Sequence, residues 1–320
     1  MAIPRYRLRV AVWARLRGHP GEVPDDGGDG GRRRRGGGMA WAAGLAVVVV
    51  LLAVGGYALF QRARPYLHGS GCEITASAGK MSLDLEQGAN AATIAAVAFR
   101  KRLPERAVVI AYATAIQESH IRNLPGGDRD SVGMFQQRPS QGWGTPDKLR
   151  DPVVSTSKFF DALVQVKDYL DHDLHIAAQE VQRSADGDAY AQHEDEGGLL
   201  AAAFTGREPG TARCWFQPDK RNDSRRPDAL REMRRAFGSR LQVGGPGALA
   251  AGAASDPQSW NSVRAGNARE GWAVSTWAVT HAQVYGLTEV RFAGKHWQAD
   301  AGHDGWTPDE SAPPDNVIIK

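Results

Sequence analysis

An uncharged stretch from residue 39 to residue 60 is the feature that most constrains how this chain can fold. Its centre, residues 46–54, contains only alanine, valine and leucine. A helix of about 20 such residues is long enough to cross the hydrocarbon core of a bilayer. Four consecutive arginines, residues 32–35, come before it, and positive charge beside a span tends to stay in the cytoplasm. We therefore predict a single-pass cell-membrane anchor over residues 39–60, with a cytoplasmic N-terminus and an extracellular remainder.

A cleaved signal peptide is the alternative interpretation of this stretch. The apolar region of a signal peptide is usually shorter, and it is followed by a cleavage site with small residues. The residues at the end of the stretch, Tyr57 to Phe60, match such a site poorly. An uncleaved anchor is therefore the favoured interpretation.

The charge of the chain is concentrated at one end. Residues 1–38 contain nine arginines and four acidic residues, whereas the whole chain has a formal net charge of only +3. Because the rest is slightly negative, the composition argues against nucleic acid as a partner. The glycine- and arginine-rich composition of residues 1–38 predicts a disordered cytoplasmic tail.

The remaining sequence predicts a mainly α fold, with a helical domain behind the anchor and a small α+β unit at the C-terminal end. We expect a stalk over residues 61–72, the helical domain over residues 73–241, a glycine- and alanine-rich linker over residues 242–258, and a C-terminal unit of unknown function over residues 259–320. Hydrophobic spacing predicts helices over residues 91–101, 105–119, 156–170, 173–183, 199–204, 229–241 and 268–285, and strands over residues 289–292 and 316–319.

Glu118 is the strongest candidate for a chemical role. Residues 108–116 carry no charge, and Pro104 and Glu105 mark the start of a helix, so a buried helix is predicted over residues 105–119. A glutamate near a helix C-terminus gains nothing from the helix dipole. Apolar surroundings disfavour the ionised form of a carboxyl group, and a carboxyl group that keeps its proton can donate it to a leaving oxygen. We therefore predict that Glu118 is a general acid/base; the alternative is a solvated glutamate at a helix end.

A long loop over residues 121–152 follows this helix. Loops of this length in a compact domain are usually functional or disordered, and the apolar Met134, Phe135 and Trp143 argue against disorder. Asp128 and Asp130 are candidates for the second carboxylate that most glycosidases use. The alternative is that each bonds its own backbone to hold a turn. Trp143 is expected either to stack on a sugar ring or to pack against the loop.

Three short motifs together resemble those of the soluble lytic transglycosylase family, which has a lysozyme-like domain. They are Gln117-Glu118-Ser119, Gly133-Met134-Phe135-Gln136-Gln137 and Ala189-Tyr190. The resemblance covers about residues 83–206. It implies a lysozyme-like fold and cleavage of the β-1,4 bond between N-acetylmuramic acid and N-acetylglucosamine in peptidoglycan. It also implies that the enzyme works without a cofactor, and that peptidoglycan glycan strands are the partner. The spacing of His296, Asp300 and His303 could serve a metal, but zinc needs three or four well-placed ligands and nothing else in the sequence supports a site, so no metal is predicted.

The resemblance also implies roles for individual residues. Glu118 matches the catalytic acid/base, Ser119 a serine that orients the substrate, and Tyr190 a tyrosine that hydrogen-bonds the glutamate. The residues of the second motif would line the substrate cleft: Gly133, Met134, Phe135, Gln136 and Gln137. Ala191 stands where the family usually has asparagine, which puts the match of Tyr190 in doubt more than that of Glu118.

Two alternatives stay open at this stage. Members of the family form a 1,6-anhydro product, whereas a second carboxylate would give hydrolysis. A non-catalytic wall-binding or scaffold protein with the same fold would retain these motifs. The sequence names no protein partner.

The chain has two cysteines, Cys72 and Cys214, and both would lie outside the membrane. An oxidising exterior permits a disulfide between them, and an even count in an exported segment favours one. The alternative is two unrelated thiols. Two cysteines are too few for a structural zinc site, which usually has four ligands.

Overall fold

The computed structural model describes residues 37–67, 69–184, 187–239, 241–244 and 260–320. The chain divides into two compact units, Met1–Tyr57 and Ala58–Lys320. Residues 1–36 of the predicted cytoplasmic tail and residues 245–258 of the predicted linker lie outside the described residues, whereas residues 242–244 of that linker form a strand.

Helices and two antiparallel sheets make up the described part of the chain. The helices are α1 (Gly37–Leu67), α2 (Leu85–Lys101), α3 (Glu105–Ser119), α4 (Pro146–Leu149), α5 (Pro152–Leu163), α6 (Leu174–Gln182), α7 (Asp188–Ala191), α8 (Glu194–Phe204), α9 (Arg226–Phe237), α10 (Ala268–Thr280) and α11 (Ala282–Tyr285). The strands are β1 (Gly71–Ala76), β2 (Gly79–Leu83), β3 (Ala212–Trp215), β4 (Gln242–Gly244), β5 (Asn261–Arg264), β6 (Glu289–Phe292), β7 (Lys295–Gln298), β8 (Thr307–Pro308) and β9 (Asn316–Ile319). The fold is therefore mixed helix and sheet rather than mainly α.

The apolar helix α1 has 31 residues. Its segment Ala43–Phe60 has a mean hydropathy of 2.4, and none of it is buried. By length and composition this segment is able to cross a membrane. The helix continues beyond the predicted span to Leu67, so most of the predicted stalk is helical.

Helix α3 is the centre of the helical core, and its predicted bounds are confirmed. It packs against α8 and α2, and Ile110, Ala111 and Tyr112 are fully buried. A Cβ atom on Gly197 of α8 would lie 2.9 Å from the carbonyl oxygen of Val109, so the glycine permits the close approach of α8. The helix ends where His120 takes the left-handed backbone conformation. This end of α3 is where Glu118 is placed.

Helix α5 is shorter than predicted. It ends at Leu163 instead of residue 170. The apolar spacing continues, and Val166 is still buried, but the chain turns after Val164 and Asp168 has a left-handed backbone with φ 53°. Apolar spacing alone therefore overestimated this helix.

The first sheet has the strand order β2-β1-β3, with all pairings antiparallel. Cys72 of β1 lies opposite Cys214 of β3, and a disulfide joins them. The bond ties the start of unit Ala58–Lys320 to a strand that follows α8.

The second sheet has the order β4-β5-β9-β6-β7-β8. The predicted strands at residues 289–292 and 316–319 are confirmed as β6 and β9. The predicted helix over residues 268–285 is divided at His281 into α10 and α11. Helix α10 contacts β6 and β9 as well as α2 and α8, so the C-terminal residues share the core of the helical region.

Candidate functional site

Glu118 lies in the last turn of α3 and is partly buried. Its Oε1 atom accepts a hydrogen bond from the hydroxyl group of Tyr190 at 2.7 Å. Tyr190 belongs to α7, which packs against α3, and is only 2% exposed. A buried phenol therefore fixes the position of one carboxylate oxygen of Glu118.

Glu118 lines a cleft of about 360 Å³. Of the residues predicted to form the site, the cleft brings together Glu118, Asp128, Gln136 and Trp143. The other lining residues are polar or charged: Ser131, Arg138, Gln141, Gln182, Arg183 and Ser184. Amide and guanidinium groups are therefore present as hydrogen-bond donors around a single helix-terminal carboxyl group.

The Gly133–Gln136 segment forms one wall of this cleft as a tight turn. Residues 132 and 137 pair on either side of the turn in an isolated antiparallel bridge. Gly133 has φ 78°, and a Cβ atom there would lie 2.4 Å from the carbonyl oxygen of Leu149, so only glycine fits. The Gln136 amide accepts from Ser131 Oγ and donates to the Gly133 carbonyl oxygen, both at 2.9 Å. The side chain of Gln136 therefore stabilises the turn that it belongs to.

Other residues of the predicted motifs lie behind the cleft. Ser119 is 4% exposed, and its hydroxyl group donates to the Met134 carbonyl oxygen at 2.7 Å. Phe135 is fully buried and stacks on Phe159 at 4.4 Å. Gln137 is buried and donates to the Ser155 carbonyl oxygen at 3.2 Å.

These buried side chains support the wall of the cleft and do not line it. Direct substrate contact, which the resemblance implied for Ser119, Met134, Phe135 and Gln137, does not fit their burial. The hydroxyl group of Ser119 instead joins the end of α3 to the turn.

The two candidate second carboxylates have different surroundings. Asp130 accepts from the Ser140 backbone N–H at 2.7 Å, the Ser140 hydroxyl group at 2.9 Å and Arg138 Nε at 3.1 Å. The hydrogen bonds from Ser140 and Arg138 lower the pKa of Asp130 to about 2, with the Ser140 backbone N–H as the largest cause. The Asp128 side chain is 92% exposed and lines the same cleft as Glu118. Asp130 therefore braces the loop, and Asp128 is the carboxylate that shares the cleft.

Helix α6 contributes to the site, which was not predicted from the sequence. Gln182 at the end of α6 donates to the Phe135 carbonyl oxygen at 2.6 Å. A second recess, of about 350 Å³, shares Gln141, Trp143 and Arg183 with the first and continues over α5 and α6. The two recesses form one groove with Trp143 between them. In the sequence, Gln182 and Arg183 are visible only as polar residues at the end of the amphipathic helix α6. This pattern does not show which other elements the end of the helix faces.

Within the described residues, no group of three or more histidine, cysteine, aspartate or glutamate side chains is arranged to hold a metal ion. The histidines and aspartate of the segment 296–303 illustrate this. Asp300 pairs with Arg221 at 3.1 Å, and His303 stacks on Trp215 at 4.5 Å.

Comparison with known proteins adds no assignment to this geometry. No protein family matches the sequence, and no curated protein is significantly similar to it. The function is therefore argued from the site itself.

Proposed function

We propose that this protein is a membrane-anchored enzyme that cleaves peptidoglycan, as a lytic transglycosylase or a lysozyme-like glycosidase. Its substrate would be the β-1,4 bond between N-acetylmuramic acid and N-acetylglucosamine. The observation that carries the proposal is the 2.7 Å hydrogen bond from Tyr190 to Glu118 at the rim of the cleft. It holds a carboxyl group at the end of a buried helix, facing a groove lined by amides.

The chemistry follows from this placement. Protonated Glu118 donates to the glycosidic oxygen as the bond breaks. The carboxylate that remains accepts the hydrogen bond of Tyr190, and a hydrogen bond to the charged form stabilises that form. Glu118 then acts as a base towards either the 6-hydroxyl group of the muramic sugar or a water molecule. Asp128 is the residue in this cleft that suits the water route, because Asp130 is engaged in the loop.

The shape of the groove supports a polymeric substrate. The two recesses meet at Trp143, and the indole face is a suitable surface for a sugar ring. Arg138 and Arg183 supply positive charge, which suits a glycan with acidic substituents. No cofactor is required by this scheme.

Two observations support an extracellular location for the proposed catalytic region. Helix α1 has a segment able to span the membrane, and the arginines at residues 32–35 favour a cytoplasmic N-terminus. The disulfide between Cys72 and Cys214 is of the kind that persists in oxidising compartments.

Zymography on purified cell wall tests the proposal. The full chain in detergent should clear the wall, and Glu118→Gln should lower the rate at least about 100-fold because the proton donor is lost. Glu310→Gln is the matched control, because Glu310 is an exposed glutamate on the loop between β8 and β9. Undiminished clearing by the Glu118→Gln variant would defeat the assignment.

A non-catalytic glycan-binding or scaffold protein is the second candidate. The observation that favours it is that one candidate second carboxylate, Asp130, is committed to the loop and the other, Asp128, is almost fully exposed. Mass spectrometry of the soluble fraction separates the candidates. Anhydro-muropeptides indicate transglycosylation, reducing ends indicate hydrolysis, and glycan binding without any released fragment indicates the scaffold.

A further inference from the structure

A chain of hydrogen-bonded side chains connects the α7–α8 junction to the residue beside Glu118. Gln117 Oε1 lies 3.2 Å from Gln192 Nε2 and 3.0 Å from His193 Nε2. The other ring nitrogen of His193, Nδ1, lies 2.7 Å from Glu196 Oε2. The His193 side chain is only 17% exposed. These contacts join the end of α3 to the junction that follows Tyr190.

The orientation of the amides determines which atoms donate. Gln192 Nε2 also donates to the carbonyl oxygen of Ala189 at 3.0 Å. This second bond identifies it as the amide nitrogen, so that Gln117 presents its oxygen to both Gln192 and His193. The Glu196 carboxylate has no proton to donate when it is ionised. Both nitrogens of the His193 ring therefore face acceptors.

A neutral imidazole has one N–H group, and an imidazolium has two. Only the protonated ring can donate to Gln117 and Glu196 at the same time. When His193 loses its proton, a lone pair faces one of the two acceptors and that contact becomes repulsive. The arrangement in the structure is therefore the arrangement of a charged histidine.

We infer that protonated His193 is a positioning residue that holds α7 against the end of α3 and so keeps the Tyr190 hydroxyl group on Glu118. The inference rests on the proposed catalytic role of Glu118. His193 contacts neither the substrate nor Glu118 itself in this scheme; it acts through Gln117 and the short helix that bears Tyr190. When His193 is deprotonated, its hydrogen bond to either Gln117 or Glu196 is lost. The hydroxyl group of Tyr190 is then held less firmly on Glu118.

The charged surroundings of the ring are simple. Glu196 of α8 is the charged group that contacts it within the described residues, and the contact from Gln117 is uncharged. The neighbouring Glu194 is engaged by Arg106.

The pH dependence of the reaction rate gives the first test. Because only the protonated ring makes both contacts, the loss of its proton as the pH rises should lower the wild-type rate about fivefold, in addition to any loss from ionisation of Glu118, the proposed proton donor. In Glu196→Gln the amide can donate to an unprotonated Nδ1, and the neutral ring still donates from Nε2 to Gln117. This variant should lack the fivefold fall and retain only the part of the pH profile that comes from Glu118. Asp195→Asn, which removes an exposed charge from the same turn of α8, should keep the wild-type profile.

Nitrogen NMR of the His193 ring in the full chain gives a second readout that does not depend on activity. The signals are assigned by comparison with His193→Ala, and both ring nitrogens should carry a proton at neutral pH, because both face acceptors. An inactive wild-type protein would count against the proposed function, and the NMR result would then decide the inference alone. A neutral ring at the pH of maximal rate, or a wild-type pH profile in Glu196→Gln, would overturn it.

Discussion

Tyr190→Phe removes one oxygen atom from the proposed site and leaves the buried ring in place. The hydroxyl group of Tyr190 donates to Glu118 Oε1 at 2.7 Å, and Tyr190 is 2% exposed. A hydrogen bond to a charged group is worth about 1.5–3 kcal/mol. Because Glu118 is only partly buried and water can replace part of the lost bond, we expect the lower end. A loss of about 1.5 kcal/mol in the stabilisation of the carboxylate formed after proton donation slows the reaction about tenfold.

The assay is the initial rate of fragment release from purified wall, measured beside urea unfolding of the same samples. Tyr112→Phe is the matched control, because Tyr112 is fully buried and its hydroxyl group donates to the Ala91 carbonyl oxygen at 2.8 Å, away from Glu118. It should lower the free energy of unfolding by about 1 kcal/mol and leave the rate unchanged. An equal loss of rate in both variants, or none in Tyr190→Phe, would refute the reasoning.

Three further predictions concern the supports of the site. Replacing Cys72 and Cys214 by serine opens a cross-link between residues 142 positions apart, and should lower the free energy of unfolding in urea by about 3–5 kcal/mol. Gly133→Ala places a Cβ atom against the Leu149 carbonyl oxygen at a positive φ. It should lower the free energy of unfolding by at least about 2 kcal/mol, and with it the melting temperature and the rate of fragment release. Because the pKa of Asp130 in the folded protein is lowered to about 2 from 3.8, its carboxylate stabilises the fold above about pH 4, and this stabilisation is lost as the pH falls towards 2. Asp130→Asn should therefore reduce the fall in melting temperature between about pH 4 and pH 2. An unchanged fall in melting temperature would contradict the assignment.

The sequence was most informative where the structure depends on local patterns. Helix α3 has the bounds that its uncharged run predicted, since length and burial determine such a helix without reference to the rest of the fold. Strands β6 and β9 were also visible as short β-branched or alternating segments.

The sequence was least informative where distant segments meet. The sheet that pairs β1 with β3 joins residues far apart in the chain, and no local pattern encodes that pairing. Gln182 and Arg183 were missed because a polar residue at a helix end has the same composition whether it faces solvent or a cleft. The family resemblance assigned Ser119 to the substrate, but its hydroxyl group is buried and donates to the Met134 carbonyl oxygen.

The position of β9 affects the order in which the molecule can be completed. This strand, residues Asn316–Ile319, lies between β5 and β6 in its sheet, yet it follows all the other described strands along the chain. Without it, the β4–β5 pair and the three strands β6 to β8 are not joined, and α10 lacks part of the surface that it packs on. Pairings between distant segments form late in folding. The sheet, and with it the surface that α10 packs on, therefore cannot be completed before residues 316–319 have been made.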